Sequence, residues 1–200
     1  MPMLVVPEYI RGLIFDCDGT LVDSMPLHMR AWEKVIRSGG GPWDHEFFFS
    51  RKGTPEKRMV ELYNRQYGLA LDPVDTVKAK HEYFWTHAAE LHPIPHVAEM
   101  ARKHFGVLPM AVASGGTRKN VHLQLKAIQL EDCFDIILTA DDGLQPKPAP
   151  DLFLEAARRM QVLPDRCQVF EDGDLGLEAA RAAGMLATDI RKDLATNSTN

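Results

Sequence analysis

The chain is short of cysteine. It has only Cys17, Cys133 and Cys167, an odd number without metal-ligand spacing, so reduced thiols in a cytoplasmic protein are expected rather than a disulfide framework. It also lacks any apolar run near the roughly 20 residues of a membrane span. Even the stretch from Gly106 to Ala113 is broken off by Ser114, Gly115 and Gly116, so no membrane partner is expected. Runs of Lys and Arg are missing, and 23 basic against 28 acidic residues leave a formal net charge of -5. Such a chain has no long-range attraction for nucleic acid, and any anion it binds must be caught locally. There is no internal repeat, heptad pattern or low-complexity tract. The apolar start, Met1 to Ile14, is interrupted by Glu8 and Arg11 and runs into strand-like sequence, which argues against a cleaved leader. The acceptor-like Asn197-Ser198-Thr199 would then go unused, in a polar end from Thr196 that is expected to fray.

What is present is globular. With 200 residues, 45% of them hydrophobic, the chain can bury one sizeable core and carry an accessory piece. Short apolar runs that end in polar residues recur at Gly12 to Phe15, Pro109 to Ala113, Ile136 to Leu138, Cys167 to Phe170 and Met185 to Ala187. They read as strands buried on both faces. Helical patterns lie between them: one capped by Thr117, one along Leu152, Phe153, Ala156, Ala157 and Met160, and one capped by Asp174 and stopping at Gly184. The alternation predicts an α/β fold, a doubly wound and mainly parallel sheet. Residues 24–91 break the alternation with three amphipathic helices, Met25 to Ile36, Pro55 to Tyr67 and Pro73 to Ala89, the last with Asp72 as its N-cap. They are read as a helical insertion after the first strand, dividing the chain into 1–23 plus 92–200 and 24–91. Pro93 and Pro95 stiffen the return. Trp32, Tyr83 and the run Phe47-Phe48-Phe49 are read as packing of that insertion, with a place at the border of the substrate as the alternative for one of the three phenylalanines.

Asp16-Cys17-Asp18-Gly19-Thr20 follows directly on the first apolar run, where open α/β sheets bind ligands. Asp and Gly after a strand also make ordinary turns, so position and company decide the reading. Asp16 is placed to attack phosphorus and Asp18 to serve as general acid and base. Two carboxylates facing an anionic substrate need a counter-charge, and a hard divalent cation with oxygen ligands is the economical answer. Glu171-Asp172 ends the fourth run, with Asp172 as direct ligand to the cation and Glu171 behind it; helix capping is the alternative use of such a pair. Ser114-Gly115, at the start of a helix, offers a hydroxyl and open amides to an anion. Lys147, between Pro146 and Pro148, can neutralise the transferred phosphate and Asp16 together.

These elements, in this order, resemble the haloacid dehalogenase superfamily of phosphohydrolases: Asp16 to Thr20 its nucleophile motif, Ser114 its second, Lys147 its third and Glu171-Asp172 its fourth. The resemblance implies a Rossmann-like core, a small helical cap over 24–91, and Mg2+ held by Asp16, Asp18 through its backbone carbonyl, and Asp172. It implies hydrolysis of a small phosphorylated metabolite through an aspartyl phosphate, in a protein that is often a monomer. Asp23-Ser24, His28, Ala31-Trp32 and Lys147 to Asp151 are similar to the β-phosphoglucomutase and sugar-phosphatase branch. By that resemblance His28 governs cap closure and the general acid, Lys80 matches a cap lysine, and Lys52-Gly53-Thr54-Pro55-Glu56 is the specificity loop. A satisfied interface histidine is the alternative for His28. Glu56 stands where the mutase branch has an arginine for a second phosphate, which favours hydrolysis, with Arg51, Lys52 and Arg58 as the candidate compensating cations for a mutase. A sugar-phosphate mutase is the runner-up, and a non-catalytic binding protein on the same scaffold is the alternative of another class.

Overall fold

The computed structural model describes residues 4–51 and 53–191. Lys52 of the specificity loop, Met1 to Met3, the polar end from Thr196 and its acceptor sequence lie outside the described residues. The five apolar runs form β1 (Gly12–Phe15), β2 (Met110–Ala113), β3 (Ile136–Leu138), β4 (Cys167–Glu171) and β5 (Leu186–Asp189). They make one wholly parallel sheet in the order β3-β2-β1-β4-β5. Among the described residues, α1 (Met25–Ser38), α2 (His45–Phe49), α3 (Glu56–Tyr67), α4 (Pro73–Thr86) and α5 (Pro95–His104) lie between β1 and β2. Helices α6 (Arg118–Ala127), α7 (Asp151–Met160) and α8 (Asp174–Ala182) provide the remaining crossovers.

Every residue of β1, β2 and β4 is buried, which is why these runs show no polar alternation. One face of the sheet presents Ile14, Ala111, Ala113 and Val169 to Leu152, Phe153, Ala156 and Met160 of α7 and to Ala179 and Ala180 of α8. The small alanines let helix and sheet approach closely. On the other face Phe15 stacks on its register partner Phe170, with ring centroids 4.9 Å apart.

The chain divides into two compact units, one of residues up to Asp23 and from Leu91 onward, the other Ser24–Glu90. Leu91, expected with the helices, belongs to the sheet unit. At the junction the two passing segments pair with each other: Val22 bridges Pro93 antiparallel, Asp23 N–H donates to His92 (2.9 Å) and Ile94 N–H to Leu21 (2.9 Å).

The Ser24–Glu90 unit has its own aromatic core. Trp32 and Trp43 stack on Phe48 at 5.0 and 5.1 Å, and Phe47 meets Tyr63 edge-on at 4.8 Å. Polar handles at its rim are satisfied. The Tyr63 hydroxyl donates to the Pro42 carbonyl and the Tyr67 hydroxyl to Asp44, which also caps α2 by accepting from Phe47 N–H. Asp72 caps α4 as expected, accepting from Val74 and Asp75 N–H.

Several readings need correction. Phe49 is outside the core, 46% exposed, and Tyr83 is only partly buried, stacked on His87. Helix α2 was not anticipated, because consecutive aromatics carry no 3.6 period. Nor was α5, whose Pro95 begins a helix rather than merely stiffening a return. Asp174 is the first helical residue, not the cap; Gly173 holds that position, and the Asp174 carboxylate pairs with Arg191 at 2.7 Å.

Candidate active site

β1, β2 and β4 are neighbours, so their carboxyl ends deliver Asp16, Ser114 and Glu171-Asp172 to one edge of the sheet. Asp16 N–H donates to the Phe170 carbonyl at 3.0 Å, continuing the ladder and fixing Asp16 beside the end of β4. The chain then turns tightly: Thr20, Leu21 and Val22 N–H all point to the Cys17 carbonyl, at 3.0 to 3.3 Å. Gly19 makes this turn possible. Its φ is +82°, and a β-carbon there would stand 2.5 Å from an Asp172 oxygen. Thr20 completes the contact by donating its hydroxyl to Asp172 Oδ1 at 3.1 Å.

Lys147 enters from the loop before α7 and is the centre of charge in the cluster. Its ammonium donates to Asp16 Oδ1 at 2.6 Å and to Glu171 Oε2 at 2.7 Å, and it lies 5.0 Å over the Phe153 ring. Glu171 Oε1 accepts from Asp172 N–H (3.1 Å) and Gly173 N–H (2.8 Å). Its carboxylate is therefore spoken for on both oxygens. Burial tends to lower the Lys147 pKa, but the charges of Asp16 and Glu171 overcome it and hold the ammonium above the ordinary lysine value. Asp16 is pushed well above the carboxylate range by burial and by the charge of Glu171 and, less strongly, Asp172, against the pull of Lys147. Cys17, between the two aspartates, is buried, and its thiol is likewise raised, by burial and then by Asp18 and Asp16.

One ammonium thus bridges two carboxylates, with Asp172 beside them. Oxygen atoms of Asp16, Glu171 and Asp172 lie within 4.8 Å of one another, an all-oxygen set that suits a hard divalent cation. Thr117 caps α6 by accepting from Asn120 N–H at 3.4 Å, and the turn before it carries Ser114, whose Oγ accepts from Gly116 N–H at 3.0 Å. Asp18 reaches this turn: a β-carbon at Gly116 would lie 3.3 Å from Asp18 Oδ2. Position 115 faces open space. Asp16, Asp18, Ser114, Gly115, Lys147, Glu171 and Asp172 are brought together by the sheet unit alone.

The remaining expected residues, His28, Gly53, Thr54 and Lys80, lie in the Ser24–Glu90 unit, where two of them meet. Lys80 is 1% exposed and donates to Glu56 Oε1 at 2.6 Å and to His28 Nδ1 at 2.9 Å. Lysine only donates, so His28 Nδ1 is the acceptor in this contact. His28 also stacks on Phe84 at 4.3 Å. The other Glu56 oxygen meets His81 Nε2 at 2.5 Å. Burial alone would raise Glu56, but His81 and Lys80 hold it down at about 2. Gly53 and Thr54 sit in a turn closed by Thr54 N–H to Arg51 carbonyl at 3.1 Å. The role of Glu56 as partner to Lys80 was not readable in sequence, and neither was Gly176, which lies against Glu171. The available signal for Gly176 was a glycine in the first turn of a helix, an unfavourable choice unless something approaches closely.

The all-parallel α/β sheet thus gathers carboxylates at adjacent strand ends around a buried lysine. Residues 10–184 match the haloacid dehalogenase-like hydrolase family, and the chain belongs to that family. It is 37% identical over 185 residues to the fructose-1-phosphate phosphatase of Escherichia coli (strain K12), covering 92% of this chain and 98% of that protein. It is 27% identical to the phosphorylated carbohydrates phosphatase of Thermotoga maritima, over 88% of this chain and 82% of the other. The crystal structure of CbbY from Rhodobacter sphaeroides in complex with phosphate superposes with a TM-score of 0.78 at 29% identity, over 89% of this chain and 84% of that one. Among the described residues no helix is long and apolar enough to cross a membrane.

Proposed function

We propose that this chain hydrolyses a phosphate monoester of a small sugar or polyol, with magnesium, through an aspartyl phosphate on Asp16. The observation that carries the reading is the buried Lys147 joining Asp16 to Glu171 at the ends of adjacent strands, beside Asp172 and the open Ser114-Gly115 turn. Resemblance to two named sugar-phosphate phosphatases supplies the substrate class. In this reading the Ser24–Glu90 unit is the cap and a cytoplasmic monomer is the working form.

An Asp16 oxygen attacks phosphorus, the bond from phosphorus to the sugar oxygen breaks, and the Asp18 carboxyl gives its proton to that leaving oxygen. Asp18, now ionised, takes a proton from water as the water oxygen attacks the phosphoryl group, returning Asp16 and releasing inorganic phosphate. Lys147 and the amide of Gly115 hold charge on the phosphoryl oxygens throughout. Asp16, Asp172 and the backbone of Asp18 would hold the magnesium, which supplies positive charge against the phosphate and favours ionised Asp16. Hydrolysis is preferred to mutase chemistry because Glu56 puts a carboxylate, already paired with Lys80, where a mutase needs a cation for a second phosphate.

The test is phosphate release from a panel of sugar, polyol and short-acid phosphates, with magnesium and with chelator, for wild type and Asp16→Asn. Release should need the metal and fall by at least about 10³-fold in the variant, as expected for loss of a nucleophile. Interconversion of hexose phosphates on adding a bisphosphate, without net release, would establish the mutase instead. Release undiminished in Asp16→Asn would refute the mechanism.

A further inference from the structure

Gly176 is the third residue of α8, a position where alanine would form the better helix. Its backbone gives no reason for glycine, since unlike Gly68, Gly106, Gly143 and Gly184 it does not have a positive φ. Its surroundings do. A β-carbon at 176 would stand 2.0 Å from Glu171 Oε2, 2.2 Å from Cδ and 2.6 Å from Cγ, far inside van der Waals contact. The Glu171 side chain cannot simply swing aside, because it is 3% exposed and both its oxygens are committed to Asp172 N–H, Gly173 N–H and the Lys147 ammonium.

We propose that Gly176 is a positioning residue for the reaction: by withholding a side chain it makes the space in which Glu171 holds Lys147 against Asp16. The proposal rests on the phosphatase reading of the site. Any side chain at 176 displaces the Glu171 carboxylate and leaves Lys147 with Asp16 as its single anion. The ammonium then shifts from the place where it meets the transferred phosphoryl group. A misplacement of about 1 Å at such a centre costs roughly 100-fold in rate.

Gly176→Ala and Glu171→Ala, singly and together, form the test, read by steady-state kinetics with magnesium and by thermal melts. Gly176→Ala alone should lower kcat by roughly 10- to 100-fold and lower the melting temperature. In the Glu171→Ala background the clash is gone, so the same substitution should change kcat by less than about twofold and leave the melt unchanged or higher, as alanine favours the helix. Equal effects of Gly176→Ala in both backgrounds would overturn the proposal, since glycine would then matter to the helix and not through Glu171. A coupled change in melting with kcat unaltered by Gly176→Ala would overturn it too. If wild type releases phosphate from no ester, the phosphatase reading fails instead, and the melts alone decide the steric claim.

Discussion

Replacing Lys147 by methionine keeps the length and the apolar stem of the side chain and removes only the ammonium. That ammonium makes charged hydrogen bonds of 2.6 and 2.7 Å to Asp16 and Glu171, with only 12% of the side chain exposed. Without it Asp16 and Glu171 lose the cation they share, while their oxygens and those of Asp172 remain within 4.8 Å of one another. Breaking a buried ion pair on one side costs about 3–5 kcal/mol. The lower end applies, because Asp16 can relieve the repulsion by taking up a proton, at about 1.4 kcal/mol for each unit its pKa rises. A loss of about 3 kcal/mol corresponds to a fall of roughly 6–12 °C in Tm for a chain of this size. The assay is a set of thermal melts in chelator at several pH values.

The signs follow from the shifts. The folded Lys147 pKa is raised, so its contribution is complete below the ordinary lysine value and is lost only as pH rises through the higher folded value. Its own charge therefore does not change on acidification, and any narrowing must come from its carboxylate partners. Asp16 is also raised, so its ionised form penalises the fold above the folded pKa, and the penalty disappears as pH falls toward the ordinary carboxylate value. The gap between wild type and variant should accordingly narrow as pH falls toward the ordinary carboxylate value, and magnesium should raise the Tm of the variant more than that of wild type. A variant melting within about 2 °C of wild type at pH 7.5, or a gap that does not narrow as pH approaches the ordinary carboxylate value, would refute the account of Lys147 as the counter-charge.

In the Ser24–Glu90 unit, Glu56→Gln should leave Lys80 buried without its anion and lower stability at neutral pH by roughly 2–3 kcal/mol, measured by urea titration followed through tryptophan fluorescence. Because Glu56 is lowered to about 2, its contribution is full above the ordinary carboxylate value and drains away as pH falls from there through the folded pKa, so wild type and variant should converge in that window. Phe48→Ala removes the ring on which Trp32, Trp43 and Tyr63 stack and should cost about 3–5 kcal/mol in the same titration.

The legible parts of the molecule are those whose physics is local or periodic. Strands covered on both faces must be apolar throughout and stop where the chain leaves the sheet, so Gly12 to Phe15 could be read residue for residue; the edge strands Ile136–Leu138 and Leu186–Asp189, read as equally buried, are largely half-buried instead. The same rule put Asp16, Ser114 and Glu171-Asp172 at strand ends, and a parallel sheet leaves little doubt about which edge they share. Thr117 and Asp72 declared themselves as caps by their place before a helix. What escaped depends on partners distant in sequence. Glu56 and Lys80 are 24 residues apart on different helices, and no spacing rule joins them. Gly176 is explained only by a carboxylate from the preceding strand. Phe47-Phe48-Phe49 has no period, and its division into two core residues and one outside depended on the turn that Asp44 caps.

The paired segments at Val22 and Pro93 have a bearing on how such a chain can change. The ends of the 67-residue excursion from Ser24 to Glu90 are fastened to each other before the excursion begins, much as a hairpin is fastened at its base. Since the entropy of closing a loop grows only with the logarithm of its length, the fastening tolerates a long insert nearly as well as a short one. The backbone pairing at that neck lies wholly within the sheet unit, so the strand preceding Asp16 keeps its register through contacts that the excursion does not supply.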